Sequence, residues 1–386
     1  MAYLYLIIFF ITLGTGIISP LIAPMLFTEN GFFAASVTHE QRVYAYALIM
    51  GVYAVGMIFS HLLWGFIADR IGGKKAIIWA LSGSLLGYIL CCISFIYALF
   101  FLFLWGRLLD GFMAGRRSVA IALLAQQGQN SSHVFRYAEI ANGMGLLIGP
   151  AVSGLLINFS RPVPLYYYAL PLAIMALIMI TNISLIAWAP LKNSVPERKK
   201  HMKFDLSGSL LKLYLQFFMI QLSWYGYFLV LTPLVILRWQ FTPLQVGLFF
   251  SGMVLFYIFA LGIIVPACRE FALKNLLTGA LLVTGFSLLF MFYTSEIFWK
   301  FLIGNIGVIT GMAFLNPGYM AQITAQTDSA HRGKVVGIQS GLIGFAWLCA
   351  SLMLASGISV LSGQIFLWAS LLLLILGVLR FIKLIN

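Results

Sequence analysis

Residues 44–75 of the chain read YAYALIMGVYAVGMIFSHLLWGFIADRIGGKK. Positions 44–67 contain no Asp, Glu, Lys or Arg, and a helix of this length is long enough to cross the ~30 Å hydrocarbon core of a bilayer at ~1.5 Å per residue. The following segment, ADRIGGKK, combines one acidic, three basic and two glycine residues. The pattern predicts a membrane-spanning helix that ends in a tight, basic turn at one face of the bilayer.

Similar apolar runs extend along the whole chain of 386 residues, which is 62% hydrophobic and 9% charged, with a mean hydropathy of +1.01. A soluble protein of this composition would lack a polar surface. We predict an all-α polytopic membrane protein with twelve transmembrane helices. The predicted spans are 3–27, 44–67, 75–95, 97–122, 135–157, 166–189, 208–236, 245–265, 271–292, 298–320, 334–356 and 362–382. The first is interpreted as a retained helix, because no small-residue cleavage site follows it.

Basic residues are distributed unequally between the two sides of this topology. With both termini in the cytoplasm, four basic residues lie in outer loops, namely Arg42, Arg161, Arg238 and Lys300. The inner loops and ends hold Arg70, Lys74, Lys75, Arg136, Lys192, Arg198, Lys199, Lys200, Lys203, Lys212, Arg269, Lys274, Arg332, Lys334, Arg380 and Lys383. This asymmetry follows the positive-inside rule. It explains the net charge of +13 without nucleic-acid binding and predicts a multi-pass cell inner-membrane protein.

The most polar stretch, around KNSVPERKKHMKFD (192–205), lies near the midpoint of the chain. We predict an N-terminal six-helix bundle at 1–190, a cytoplasmic linker at 191–207 and a C-terminal six-helix bundle at 208–386. An offset of about 199 residues aligns Arg269 with Arg70 and Lys274 with Lys75. Six helices per half would make the two repeats parallel in the membrane.

The turn after the second span contains Gly65, Asp69, Arg70, Gly72, Lys74 and Lys75. Glycine permits a tight turn, and a carboxylate is favoured near the N-terminus of a helix. The segment resembles the signature loop of the major facilitator superfamily, a fold of two six-helix halves. That resemblance implies a cytoplasmic gate, whereas the residues alone are also compatible with a generic basic turn. The equivalent stretch in the second half keeps the basic residues without the Gly and Asp pattern.

The fifth span carries a series of small residues and one proline, Gly145, Gly149, Pro150 and Gly154. Small residues allow helices to approach closely, and proline removes a backbone donor and kinks the helix. The pattern alone indicates helix packing. It is also similar to the helix 5 motif of the proton-coupled drug exporters of the superfamily, and the first span, with its Gly and Pro residues, is similar to their helix 1. These resemblances imply export.

The fourth span is unusual because it contains Arg107, Asp110, Arg116 and Arg117. Each charge at the centre of a bilayer costs about 2.5–3.5 kcal/mol, so these side chains must pair or turn away from lipid. Arg107 and Asp110 are three residues apart and share a helix face, which predicts an ion pair facing the translocation pathway. Arg116 is expected to extend to the membrane surface, and Arg117 to do so or to pair with Glu139. Arg117 and Glu139 are also candidates for contact with the substrate.

Arg107 and Asp110 also match the helix 4 arginine motif of the superfamily, with Asp110 at the position of its usual glutamine. The resemblance implies a role in proton movement, and Asp110 adds a titratable group. A purely structural ion pair remains an equal alternative from the residues themselves.

Other chemistry has little support in the sequence. Phosphate-binding loops, zinc-protease motifs and metal-spaced ligand clusters are absent, so we predict no enzyme, no cofactor and no metal site. We predict a secondary active transporter that exports a small organic molecule, anionic, zwitterionic or neutral, in exchange for protons, with membrane lipids around it. The alternatives are an importer of the same superfamily and, outside it, a membrane-embedded enzyme or receptor.

Overall fold

The computed structural model describes residues 2–27, 32–33, 36–127, 131–158, 168–191, 208–268, 270–326, 332–356 and 360–382. Within these ranges the regular structure is helical. Helices satisfy their backbone hydrogen bonds internally, which is what an apolar environment requires of a spanning segment. The all-α fold predicted from the sequence is confirmed.

The N-terminal helices follow the predicted spans except at the fourth. They are α1 (Ala2–Phe27), α2 (His39–Ile71), α3 (Gly73–Ile96), α4 (Phe100–Phe112), α5 (Arg116–Gln127), α6 (Ser131–Asn158) and α7 (Ala169–Trp188). Thr38 caps α2 by accepting a hydrogen bond from the Gln41 backbone amide, while the Gln41 side chain accepts one from the Thr38 amide. This capping box fixes the start of α2, five residues before the predicted span.

The C-terminal helices are α8 (Gly208–Trp239), α9 (Pro243–Phe259), α10 (Val265–Ala267), α11 (Leu273–Thr294), α12 (Phe298–Ala325), α13 (Arg332–Ala355) and α14 (Gln364–Phe381). A π-helical turn, Ala260–Ile264, joins α9 to α10. The predicted span 245–265 is thus one helical rod with a local widening.

Eleven helices in the described part of the chain are long and apolar enough to cross a membrane. The predicted fourth span, 97–122, is the one that lacks a continuous helix. It consists of α4 and α5, separated by the turn Met113–Gly115. The glycines at 111 and 115 and the charges on both sides of the turn are consistent with a break here, because neither stabilises a continuous apolar helix.

The chain forms two compact units. Unit 1 comprises Met1–His201 together with Phe241–Ser251, and unit 2 comprises Met202–Gln240 and Gly252–Asn386. The predicted linker falls almost entirely on residues 192–207, outside the described residues, so the sequence-based boundaries remain predictions.

Small residues bring neighbouring helices together in both units. A Cβ atom at Gly149 would lie 2.6 Å from the Leu13 carbonyl oxygen of α1, and one at Gly311 would lie 1.9 Å from Thr284 Oγ1 of α11. Between apolar helices in lipid, such close approach supplies the van der Waals contact that holds them together.

Candidate functional site

The break in the fourth span is stabilised by side chains of α2. Ser60 Oγ donates a hydrogen bond to the Phe112 carbonyl oxygen at 2.8 Å and accepts one from the Gly115 amide at 2.6 Å. Trp64 Nε1 donates to the same Phe112 carbonyl at 2.7 Å. These bonds satisfy backbone groups that the interrupted helix leaves without intrahelical partners. The turn is therefore stabilised by specific hydrogen bonds within unit 1.

Three charged side chains meet beside this turn. Arg107 Nη1 lies 3.2 Å from Asp110 Oδ2, and Arg116 Nη1 lies 3.1 Å from Asp110 Oδ1. Arg116 Nη1 also lies 3.4 Å from the Asp110 carbonyl oxygen. Two cations thus share a single carboxylate. We call Arg107, Asp110 and Arg116 the charge cluster.

Two tyrosines complete the surroundings of the charge cluster. The Arg107 guanidinium lies 4.4 Å from the centre of the Tyr53 ring of α2, a cation–π contact. Arg116 Nη2 donates to Tyr88 Oη of α3 at 3.5 Å. The arginines are thus held by an aromatic face and a hydroxyl as well as by Asp110.

The charge cluster lies in the packed interior of unit 1. Arg107, Asp110 and Arg116 are 5%, 3% and 2% exposed. Arg107 and Asp110 form the ion pair expected from the sequence, and in this structure both are closed to solvent; that they face the translocation pathway stays a prediction. Access to Asp110 from either side of the membrane requires the surrounding helices to move.

Glycine contacts fix α4 between its neighbours. A Cβ at Gly111 would lie 2.3 Å from the Tyr53 carbonyl oxygen of α2, and one at Gly106 would lie 2.7 Å from the Gly87 carbonyl oxygen of α3. Any larger residue at these positions would push α4 away from α2 and α3. Because Arg107 and Asp110 are on α4, the same contacts set the position of the charge cluster.

The position of Arg116 differs from the one predicted from the sequence. Extension to the membrane surface was expected on the assumption of one continuous helix, in which Arg116 points away from Arg107. The turn Met113–Gly115 rotates α5 relative to α4, so Arg116 points back toward Asp110. Gly111 and Gly115 are the sequence features that could have indicated a break in the helix here.

Arg117 and Glu139 form the pair expected from the sequence, with Arg117 Nη2 at 3.0 Å from Glu139 Oε1. Asn142 Nδ2 donates to the other Glu139 oxygen at 3.3 Å. The carboxylate side chain is 64% exposed, so this ion pair contributes little to stability. It connects α5 to α6 at the rim of unit 1.

The predicted gate loop forms the turn between α2 and α3. Gly72 has a backbone φ of 86°, a conformation that favours glycine. Lys74 Nζ donates to the carbonyl oxygens of Ala187 at 3.0 Å and Ala189 at 2.8 Å, at the C-terminal end of α7, where a cation is favoured. Asp69 is exposed, and within the described residues no helix N-terminus donates to it.

Arg70, Lys75 and Gly65 complete the predicted gate residues. The Arg70 guanidinium lies 4.1 Å from the centre of the Phe66 ring, and Lys75 is exposed in the first turn of α3. A Cβ at Gly65 would meet no atom within 4 Å. Close helix approach therefore does not explain this glycine.

The small residues of α6 contact two helices of unit 1. A Cβ at Gly145 would lie 2.2 Å from Thr12 Oγ1 of α1. A Cβ at Gly154 would lie 2.8 Å from Leu244 Cα in the segment Phe241–Ser251. Pro150 is part of the same face, because a Cβ at Gly247 would lie 2.2 Å from its carbonyl oxygen.

Polar side chains of unit 2 pair with one another between α8 and α12. Gln221 Nε2 donates to Asn316 Oδ1 at 2.8 Å, and Tyr227 Oη donates to Asn305 Oδ1 at 2.6 Å. Helical spacing alone does not define the partners of such polar residues in apolar helices.

Comparison with known proteins extends these observations. The family model described as Major Facilitator Superfamily matches residues 4–211. The tetracycline resistance protein of class E from Escherichia coli is 25% identical over 226 residues, which cover 56% of this chain and 53% of that protein. The class H protein from Pasteurella multocida is 25% identical over 170 residues, covering 44% and 40%. The chain thus matches about half or less of the length of these curated relatives.

Solved structures share the fold over nearly the whole chain. The POT family transporter PepTSo superposes with a TM-score of 0.82 and 13% identity, covering 99% of this chain and 97% of that one. The D-xylose-proton symporter gives a TM-score of 0.79 and 13% identity, covering 98% and 96%. Because the family model covers more than half of the chain, the protein belongs to the major facilitator superfamily, a family of transporters rather than enzymes.

Proposed function

We propose that this protein exports a small organic molecule from the cytoplasm in exchange for protons, by alternating access of its two halves. The observation that carries the proposal is the charge cluster, in which a buried, titratable carboxylate is held by two arginines beside a break in a membrane helix. Ionisable residues inside the membrane are costly and commonly mark substrate or proton pathways. The tetracycline resistance proteins among the relatives support export over import.

The charge cluster suggests how proton binding drives the cycle. In the observed state Asp110 balances one of the two arginine charges. A proton reaching Asp110 converts the carboxylate to a neutral acid and removes the attraction that holds both guanidinium groups. For exchange, the proton and the substrate must occupy the cluster alternately, so an arginine released in this way turns to another carboxylate and the bound substrate leaves to the outside. When the proton leaves to the cytoplasm, Asp110 recovers its arginine partners, and the cluster can bind the next substrate molecule from the cytoplasm.

Helix movement is a requirement of this mechanism because the charge cluster is closed to solvent. Two features supply candidate moving parts. The loop with Asp69, Arg70 and Gly72 acts as the cytoplasmic gate, and the α6 face with Gly145, Gly149, Pro150 and Gly154 acts as a sliding contact. Both lie in unit 1, on helices that contact α1 or flank the charge cluster.

The substrate class follows from the charge balance. A cluster with two arginines and one carboxylate retains an excess positive charge inside the membrane, which an anionic or zwitterionic substrate would offset. Carboxylate metabolites and siderophores are of this kind. Tetracycline is the first compound to test, because relatives carry that name.

The proposed orientation of the protein in the membrane rests on the distribution of basic residues along the sequence. Both termini lie in the cytoplasm and the protein sits in the cell inner membrane, with the N-terminal bundle at 1–190, the linker at 191–207 and the C-terminal bundle at 208–386. A reporter enzyme active only in the cytoplasm, fused to either terminus, tests this orientation. Activity of neither fusion would reverse it.

The experiment that tests export has two steps. Culture media of cells with and without the protein are compared for all detectable metabolites, and added tetracycline is included. Each enriched compound is then offered to everted and right-side-out vesicles under an imposed proton gradient. Export predicts gradient-driven accumulation in everted vesicles. Accumulation in right-side-out vesicles only would make the protein an importer.

A further inference from the structure

Unit 2 contains a second concentration of positive charge, far in sequence from the charge cluster. A cavity of about 610 Å³ opens where α8 and α11 begin and where α12 and α14 end. Three cations line it, together with glutamine side chains, namely Lys212, Lys274, Arg380, Gln216, Gln322 and Gln326. No acidic residue of the described part of unit 2 lines this cavity.

Arg380 is the centre of the cavity wall. It is only 7% exposed, although it lies in the last turn of α14. Its Nη1 donates to Tyr319 Oη at 3.1 Å and to Gln216 Oε1 at 3.3 Å, and its Nη2 donates to Gln322 Oε1 at 3.3 Å. All of these acceptors are neutral, and the buried Nε has no acceptor among the described residues.

A buried arginine surrounded only by neutral groups is costly, because hydrogen bonds to neutral oxygens replace its hydration only in part. The acidic residues in the described part of unit 2 are Glu270 and Glu296, and neither forms an ion pair there. The positive charge of Arg380 is thus left without a carboxylate from this part of the chain.

The two lysines add to the positive potential. Lys212 and Lys274 lie at the starts of α8 and α11 and are exposed. Helix N-termini carry partial positive charge and favour anions, and the two exposed lysines add positive charge at the same place. Two lysines, two helix N-termini and one buried arginine therefore converge on a single cavity.

We propose that this cavity binds a phosphate group, supplied by an anionic lipid headgroup or by a free phosphate compound. Guanidinium and ammonium groups are the usual partners of phosphate, and glutamine amides supply further donors. The helix ends around the cavity lie on the side that the sequence assigns to the cytoplasm, where basic pockets between membrane helices bind lipid headgroups. The inference does not depend on proton-coupled export.

The test uses the full-length protein, purified in a neutral detergent and stripped of lipid. Two probes are applied separately: inorganic phosphate, measured as a shift of the thermal unfolding midpoint at constant ionic strength, and phosphatidylglycerol, measured as retained lipid by native mass spectrometry. The variants are Lys274→Gln and Arg380→Gln. The control is Lys300→Gln, which removes the same charge from an exposed lysine in the first turn of α12.

We expect at least one probe to bind the wild type and Lys300→Gln equally, and to bind Lys274→Gln and Arg380→Gln more weakly by about tenfold or more. Binding of phosphatidylglycerol alone identifies a lipid headgroup site, and binding of inorganic phosphate identifies a site for soluble phosphate compounds. If neither probe binds, or if Lys274→Gln binds like the control, the proposal is overturned. Lys274 is exposed, so this variant decides the question even if Arg380→Gln does not fold.

Discussion

Arg116 Nη1 lies 3.1 Å from Asp110 Oδ1, although a three-residue turn separates the helices that carry them. In a continuous helix the six-residue separation would place these side chains on different faces. The turn at Met113–Gly115, held by Ser60 and Trp64, redirects α5 so that Arg116 joins the Arg107–Asp110 pair. The interruption of the fourth span is therefore what builds the charge cluster.

The charge balance of the cluster predicts unequal effects of two substitutions on stability. Asp110→Asn leaves two buried arginines without a counter-charge, which is expected to lower the free energy of unfolding by about 3–5 kcal/mol. Arg116→Gln leaves the neutral Arg107–Asp110 pair intact and is expected to cost less. Unfolding of the purified proteins, followed by circular dichroism in detergent, measures both. An equal or larger loss for Arg116→Gln would mean that the two arginines do not depend on Asp110 as their shared counter-charge.

The face of α6 is predicted to tolerate no side chain. Gly145→Ala places a Cβ 2.2 Å from Thr12 Oγ1 and 2.5 Å from the Phe9 carbonyl oxygen, and overpacking of this kind typically costs about 1–3 kcal/mol. Gly252→Ala is the matched control, because a Cβ there meets nothing within 4 Å. The larger changes Gly145→Leu and Gly149→Leu are expected to abolish transport in vesicles. Normal transport by both leucine variants would show that α6 does not slide against its neighbours during transport.

Asp69→Asn is predicted to impair transport without reducing the amount of protein in the membrane. The side chain is exposed, so the loss of its charge has little effect on folding. If the negative charge of Asp69 holds the gate closed, its removal weakens the gate and slows transport. Glu40→Gln serves as the control, because Glu40 is an exposed acid at the opposite end of α2. Transport and membrane abundance are measured together. Equal transport by the two variants would mean that the loop sets the orientation of the helices in the membrane and does not act as a gate.

Gly72 and Gly65 are predicted to differ although both belong to the gate loop. Gly72→Ala forces a non-glycine residue to a φ of 86°, which costs about 1–3 kcal/mol. Gly65→Ala lies in a helix with free space around it, and alanine is favoured there by up to about 1 kcal/mol. Thermal unfolding of the two variants separates them. A stable Gly72→Ala protein would show that the α2–α3 turn adopts another conformation.

Much of the fold could be predicted from the sequence because the length and hydropathy of an apolar run are local properties of the chain. Hydropathy predicts the eleven long apolar helices of the described residues, and the pairing of Arg107 with Asp110 follows from their spacing on one helix face. The helix break at Met113–Gly115 was missed, since it depends on hydrogen bonds from Ser60 and Trp64 on another helix. The position of Arg116 was consequently wrong.

The cavity around Arg380 illustrates the same limit. The sequence predicts that Arg380 lies at the cytoplasmic end of the last span, and in the structure Gln216 and Gln322 of other helices join it. Their convergence depends on how α8, α12 and α14 pack, which spacing along one helix does not reveal. Contacts within one helix can be predicted from the sequence, whereas contacts between helices can be identified only once the three-dimensional structure is known.

Proton coupling through Asp110 is tested most directly by substrate flux in everted vesicles of wild type and Asp110→Asn, normalised to the folded protein in each membrane. The wild type should accumulate the exported compound under an imposed proton gradient. Asp110→Asn should lose this accumulation while still exchanging labelled for unlabelled substrate across the membrane. Undiminished gradient-driven accumulation by Asp110→Asn, or its full restoration by the swapped variant Arg107→Asp/Asp110→Arg, would contradict the account and leave the charge cluster a structural element.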